Sequence, residues 1–173
     1  MRKEIIILIL LIVYIQANNL RILSNEDFEF DGKYIDGKAE GKGKAKYKNG
    51  ETYEGNFKNG LRDGRGKYVY KNGNVYEGEF KNGELNGEGV MTYKDGQKYE
   101  GEFRDNLRDG RGKYYYKNGD RYEGEWRRGL KEGKGVYYWA DGDRSMGDYV
   151  NDKEVGLHVR LDSVGHVIER FYE

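Results

Sequence analysis

The chain has 173 residues, room for one domain and an N-terminal extra. Its 31 basic and 31 acidic residues cancel, so no bulk field draws it to nucleic acid or to an anionic membrane. The absence of Cys excludes disulfides, thiolate metal sites and cysteine nucleophiles. A charged fraction of 36% would suit a disordered chain, but 17 Tyr and 6 Phe in periodic positions oppose that reading.

Residues 1–19 read MRKEIIILILLIVYIQANN: two basic residues, an unbroken apolar run from Ile5 to Ile15, then a polar stretch containing Ala17. The apolar run as a helix is only ~16 Å long, about half a bilayer's hydrocarbon thickness. That length and the small residue at Ala17 predict a secretory signal peptide, cleaved before Asn18. The alternative is an uncleaved membrane anchor that continues through Leu20–Leu23. Either way a hydrophobic helix precedes the domain, and Arg2 and Lys3 stay inside while the rest is exported. Residues 20–29 are expected to be a polar linker or a first edge strand.

From Phe30 the chain repeats itself every 23 residues. YEGNFKNGLRDGRGKYVYKNGNV begins at Tyr53, and copies begin at Tyr76, Tyr99 and Tyr122. Degenerate copies begin at Phe30 and Ser145, so units in register cover residues 30–52, 53–75, 76–98, 99–121, 122–144 and 145–167. A fixed period of this size signals a repeat architecture. Within a unit, one strand is predicted near Glu51–Phe57 and a second near Arg65–Tyr70. Asn59-Gly60 and Asn82-Gly83 supply one set of turns; Lys71-Asn72-Gly73, Lys94-Asp95-Gly96 and Lys117-Asn118-Gly119 supply the other, all read as type I′. Turn signals every 11–12 residues predict an antiparallel meander, an elongated all-β single-layer sheet. Residues 168–173 add a terminal strand.

Alternation along the strands sets Tyr53, Gly55 and Phe57 on one face, with Glu54 and Asn56 on the other. Stacked units then build columns: Tyr53, Tyr76, Tyr99, Tyr122; Phe57, Phe80, Phe103, Trp126; and Tyr70, Tyr93, Tyr116, Trp139. Tyr68, Met91, Tyr114 and Tyr137 form a fourth. Gly55 and Gly66 leave room for rings to lie flat on the backbone. The opposite face carries Glu77, Glu79, Glu100, Glu102, Glu123 and Glu125, with Lys44, Lys46, Lys67 and Lys113 between them. Cross-strand pairs of opposite charge contribute ~0.2–1 kcal/mol each. The outer units depart from the pattern, as caps of a repeat array do: Ser145 stands for the Tyr, and His158 for the second Gly of a pair.

The pattern Y-E-G-E-W/F with its following glycine pairs, Gly64/Gly66, Gly87/Gly89, Gly110/Gly112 and Gly133/Gly135, resembles the MORN repeat (membrane occupation and recognition nexus). One departure stands out: where many members carry a His before the first of those glycines, this chain has Asp63, Asn86, Asp109 and Glu132. The resemblance implies a β-hairpin repeat sheet and a scaffolding or membrane-associated role, sometimes as an appendage to enzymes such as lipid kinases. No such enzyme domain lies in this sequence.

Catalysis is not expected. Paired glutamates recur identically from unit to unit, whereas acid–base chemistry needs one pair with distinct environments. His158 and His166 stand apart from any metal-ligand cluster and are expected at the surface or in the cap. Asp141, Asp143 and Asp148 lack the spacing of a calcium loop. No cofactor, metal, nucleic acid or small-molecule substrate is therefore expected. The leading expectation is a protein partner, or self-association, on the aromatic face formed by Tyr53, Phe57, Tyr70, Tyr76, Phe80, Tyr93, Tyr99, Phe103, Tyr116, Tyr122, Trp126 and Trp139. Two alternatives are phospholipid headgroup binding, with Arg127-Arg128 and Arg108/Arg111 as the best local cations, and stacking of a cell-surface glycan on the rings.

Overall fold

The computed structural model describes residues 28–173, which form a single antiparallel sheet of 13 strands in sequence order. The strands are β1 Phe28–Ile35, β2 Lys38–Tyr47, β3 Thr52–Lys58, β4 Leu61–Val69, β5 Val75–Lys81, β6 Glu84–Thr92 and β7 Lys98–Arg104. The rest are β8 Leu107–Tyr115, β9 Arg121–Arg127, β10 Leu130–Tyr138, β11 Arg144–Val150, β12 Lys153–Leu161 and β13 Val167–Tyr172. The all-β meander is as the period implied. The hydrophobic helix, the cleavage site and most of the 20–29 linker lie outside the described residues, although Phe28 and Glu29 already belong to β1.

Two kinds of turn alternate. The short hairpins are type I′: Asn59 and Gly60 have φ of 52° and 85°, and Asn82 and Gly83 have 50° and 89°. The longer turns differ from the I′ expectation, because Gly73 (φ 90°) is left-handed and Asn72 is not. There the Gly73 N–H donates to the Tyr70 carbonyl and the Tyr70 N–H to Asn74, both at 2.9 Å. The Asn72 side chain instead accepts from the Asn74 N–H at 2.9 Å, so asparagine serves as a local acceptor here.

The second strand of each unit is longer than predicted, and a bulge explains why. Gly55 pairs with Gly66 but Phe57 pairs with Arg62, so Asn56 alone faces Asp63, Gly64 and Arg65. Gly64 takes φ 92° to allow it. Beyond the bulge the strand resumes, and Arg62 arrives on the same face as Phe57.

That face holds the core of the described residues. Tyr53, Tyr76, Tyr99 and Tyr122 are 0–1% exposed although the described residues form no second layer over them. Each ring lies flat across a cross-strand glycine pair: a Cβ on Gly66 would sit 2.4 Å from the Tyr53 ring, and one on Gly89 2.4 Å from the Tyr76 hydroxyl. Its hydroxyl then donates to a carbonyl three residues on, Tyr53 to Asn56 at 2.9 Å and Tyr76 to Glu79 at 3.0 Å. Phe and Trp rings close the other side edge-on. Tyr53 meets Phe57 and Phe80 at 5.0 Å, Tyr76 meets Phe103 at 5.0 Å, Tyr99 meets Trp126 at 5.3 Å and Tyr122 meets Tyr149 at 5.1 Å, with ring planes 79–86° apart. Every unit is thereby locked to the next by edge-to-face pairs worth ~0.5–1.5 kcal/mol each beyond their burial.

Candidate functional site

The twelve aromatic residues singled out in the sequence share a face but not a role. Eight of them, Tyr53, Phe57, Tyr76, Phe80, Tyr99, Phe103, Tyr122 and Trp126, are at most 5% exposed and form the core ladder. They are closed to a partner, because their faces are spent on glycine backbone and on one another. The other four, Tyr70, Tyr93, Tyr116 and Trp139, are half-buried along one margin of the sheet, together with Tyr47. Each sits at a strand end just before a long turn, where the sheet no longer flanks it on both sides.

The margin rings are held by the fourth column. Tyr68 touches Tyr47 at 5.8 Å and Tyr70 at 4.7 Å. Tyr114 touches Tyr93 at 6.0 Å and Tyr116 at 4.7 Å, and Tyr137 bridges Tyr116 and Trp139 at 5.6 and 5.3 Å. Met91 interrupts the stripe between Tyr70 and Tyr93. The supporting hydroxyls are anchored: Tyr68 donates to Glu51 at 2.5 Å, Tyr114 to Gln97 at 3.1 Å and Tyr137 to Asp120 at 2.6 Å. Those bonds hold the Glu51 and Asp120 carboxyls below the usual carboxylate range. In the sixth unit Arg160 replaces the tyrosine and pairs with Asp143 at 3.0 Å, so the tether survives as an ion pair.

Sequence reasoning missed a column of cations beneath these rings. The bulges place Arg62, Leu85, Arg108 and Lys131 at equivalent positions on the aromatic side. The Arg62 guanidinium lies 4.5 Å from the Tyr68 ring centre and donates to the Gly83 carbonyl at 2.5 Å. Arg108 lies 4.2 Å from Trp126 and donates to Gly129 at 2.5 Å. Lys131 sits among Tyr122, Tyr137, Tyr116 and Tyr149 at 4.8–5.7 Å, and burial lowers its ammonium pKa. Burial also pushes the Tyr53 hydroxyl up to about 12 and raises those of Tyr76, Tyr99 and Tyr122.

The headgroup cations named from sequence do not converge. Arg108 stacks on the aromatic side, whereas Arg111 is exposed on the opposite face, facing Glu125. Arg127 ends its strand, and Arg128 occupies a tight turn at φ 50°.

The opposite face is a charge ladder. Lys44–Glu54, Lys67–Glu77 and Lys113–Glu123 pair at 3.2, 2.8 and 3.3 Å, all with substantial solvent exposure on at least one side. Lys46 falls in the next row, opposite Thr52 and Glu29, and makes no such pair among the described residues. The alternation fails where Val90 and Val136 replace lysine and where Glu88 directly faces Glu102. His158 was expected at the surface or in the cap; it is fully buried in the last unit, while His166 is exposed on a turn. Among the described residues no group of His, Asp and Glu is arranged to hold a metal ion. None of their helices is long and apolar enough to cross a membrane.

A family model described as MORN repeat matches five consecutive units, residues 30–52, 53–75, 76–98, 99–121 and 122–144. The sixth unit, 145–167, is not matched, although β11 and β12 repeat the bulged hairpin. No curated protein sequence matches the chain. Among solved structures, the sheet is similar to the TCP domain of Drosophila melanogaster SAS-4 (dCPAP), in complex with a proline-rich motif of Ana2 (dSTIL). That likeness has 15% identity, covers 88% of each chain and has a TM-score of 0.52. The wild-type TCP10 domain of Danio rerio CPAP, in complex with a STIL peptide, shows 14% identity over 84% of this chain and 68% of that one, with a TM-score of 0.40. At 15% identity the likeness to the SAS-4 domain is one of fold.

Proposed function

Since the chain belongs to the MORN-repeat family, we propose that it is a non-catalytic protein-binding module whose aromatic margin takes an extended segment of a partner. One observation carries the reading. The core ladder consumes every ring it needs, and yet a further stripe, Tyr47, Tyr70, Tyr93, Tyr116 and Trp139, is repeated at a half-open position. Rigid aromatic surface with a polar tip is what interfaces favour, since it contributes large contact area for little lost rotamer freedom. The similarly folded SAS-4 domain, seen with a bound peptide motif, supports the same class of role. The basic, apolar and small-residue pattern of residues 1–19 supports export of the module, secreted or held at a membrane by that segment.

Selection of ligands from a displayed random-peptide library against the full chain tests this. Trp139 and Trp126 are the only tryptophans, and only Trp139 lies in the stripe. Selected peptides are expected to change the emission of the chain but not of Trp139→Phe. They are also expected to lose affinity for a Tyr70→Ser, Tyr93→Ser, Tyr116→Ser variant. Peptides that bind this variant undiminished would place the interface elsewhere and end the proposal.

A further inference from the structure

The margin has a repeat distance, and it selects one backbone conformation. Successive rings of the stripe come from every second strand, ~9.5 Å apart at ordinary sheet spacing. An α-helix turns every ~5.4 Å. A polyproline II helix has three residues per turn at a ~3.1 Å rise, or ~9.3 Å per turn. A chain in that conformation, laid across the strands, brings every third residue over a ring without drifting out of step. Five rings span ~38 Å, which ~13 residues of such a helix would cover.

Two further features share the same period. The supporting hydroxyls of Tyr68, Tyr114 and Tyr137 are bonded to side-chain acceptors, but those of Tyr70, Tyr93 and Tyr116 have no such bond among the described residues. They are donors at the open edge, and a polyproline II segment leaves its carbonyls unpaired. Immediately after each tyrosine comes a lysine: Lys48, Lys71, Lys94 and Lys117. All four are exposed, and none takes part in the ion pairs that absorb the lysines of the opposite face. A lysine with no ion pair among the described residues thus follows each of the first four rings in sequence, with Asp95 acting on Lys117 only at longer range.

We propose that the occupant of the aromatic margin is a proline-rich, acidic polyproline II segment of a partner protein, running across the strands with one turn per repeat. Prolines pack on the rings, the free phenols donate to its carbonyls, and one acidic side chain per turn meets each lysine. This rests on the protein-binding reading above and narrows it to one ligand chemistry.

The test is titration of the full chain, followed by Trp139 emission, with a repeating Pro-Pro-Glu peptide of ~15 residues. A Gly-Ser-Glu repeat of equal length and charge serves as the flexible control. The proline peptide is expected to bind at least ~10-fold more tightly than the control, a difference of ~1.4 kcal/mol. Tyr93→Ser with Tyr116→Ser is expected to remove most of that advantage, and Lys71→Gln with Lys94→Gln and Lys117→Gln to weaken binding and flatten its salt dependence. Thermal melts check that each variant folds; Tyr93→Phe with Tyr116→Phe keeps the rings and tests the hydroxyls alone. Equal affinity for the two peptides, or binding indifferent to the ring and lysine variants, overturns the proposal. So does a Trp139 response to phosphatidylserine vesicles but not to the proline peptide. If library-selected peptides still report through Trp139 when Pro-Pro-Glu does not, the protein-binding reading stands and only the ligand class falls.

Discussion

Ser145 and His158 exchange between them the roles that tyrosine and glycine hold in the central units. Ser145 occupies the tyrosine position and is too small to cover Gly147; the His158 imidazole reaches over from the neighbouring strand and does so. A Cβ on Gly147 would lie 2.4 Å from its Nε2. That nitrogen lies 2.9 Å from the Asp148 carbonyl, the acceptor position that a tyrosine hydroxyl bonds in the units before it. A carbonyl only accepts, so Nε2 carries the proton and Nδ1 is left to face the Ser145 hydroxyl at 3.4 Å. The ladder therefore continues from Tyr149 through His158 to Phe171 at 5.4 and 5.5 Å.

The two substitutions are expected to be coupled. Ser145→Tyr alone drives a second ring into an occupied site at ~1–3 kcal/mol, and His158→Gly alone opens a cavity at ~2–4 kcal/mol. Together they rebuild the tyrosine-over-glycine arrangement of the central units, and the double variant should recover at least ~1 kcal/mol of the summed loss. Urea unfolding of the four proteins measures this; simple additivity would mean the two side chains do not share one site.

Gly66→Ala should destabilise by ~1–3 kcal/mol, because the new methyl meets the Tyr53 ring, which is clamped between Phe57 and Phe80 and cannot move aside. Lys67→Ala, one residue along on the solvent face, removes an exposed pair with Glu77 and should cost no more than ~1 kcal/mol. Chemical denaturation of both variants gives the ratio, and similar losses would contradict the flat-ring packing.

Arg108→Leu is expected to be tolerated within about 1 kcal/mol, since the equivalent position of the preceding unit is Leu85, buried at 4% exposure. Arg108→Ala uncovers the Trp126 ring and should cost ~2 kcal/mol with a red-shifted emission. If Arg108→Leu instead abolished binding to anionic vesicles while leaving stability intact, the cation would be serving lipid, against its stacked position.

Alkaline pH should unfold the sheet. Burial raises the folded-state pKa of Tyr53 to about 12 from an ordinary value near 10, and raises those of Tyr76, Tyr99 and Tyr122 in the same direction. A folded pKa above the unfolded one means that the stabilisation is fully present below pH ~10 and is lost as pH rises towards the folded values. Phenolate absorbance followed alongside circular dichroism should show the ladder tyrosines ionising together with loss of the sheet. Their ionisation near pH 10 with the fold intact would show that they are solvated.

The 23-residue period is legible in the chain, and the meander follows from it. Strict 23-residue spacing, period-2 alternation and the Asn-Gly hairpin turns admit an antiparallel meander, and they correctly set Tyr53 and Phe57 against Glu54. Alternation also placed the twelve rings on one face, without separating the eight that are buried from the four at the margin. Which of those rings a partner could reach depends on packing between units. Accessibility depends on whether a ring has glycine backbone beneath it and a neighbouring unit's ring beside it, and those neighbours lie 23 or more residues away. The bulge opposite Asn56 was equally hidden, because two extra residues on one strand keep the alternation in phase and leave no break in the pattern. Without it Arg62, Arg108 and Lys131 read as turn cations in water; with it they stand under the aromatic side. Ser145 and His158 look like two unrelated lapses at the end of an array, and only the pairing of β11 with β12 brings them onto one glycine.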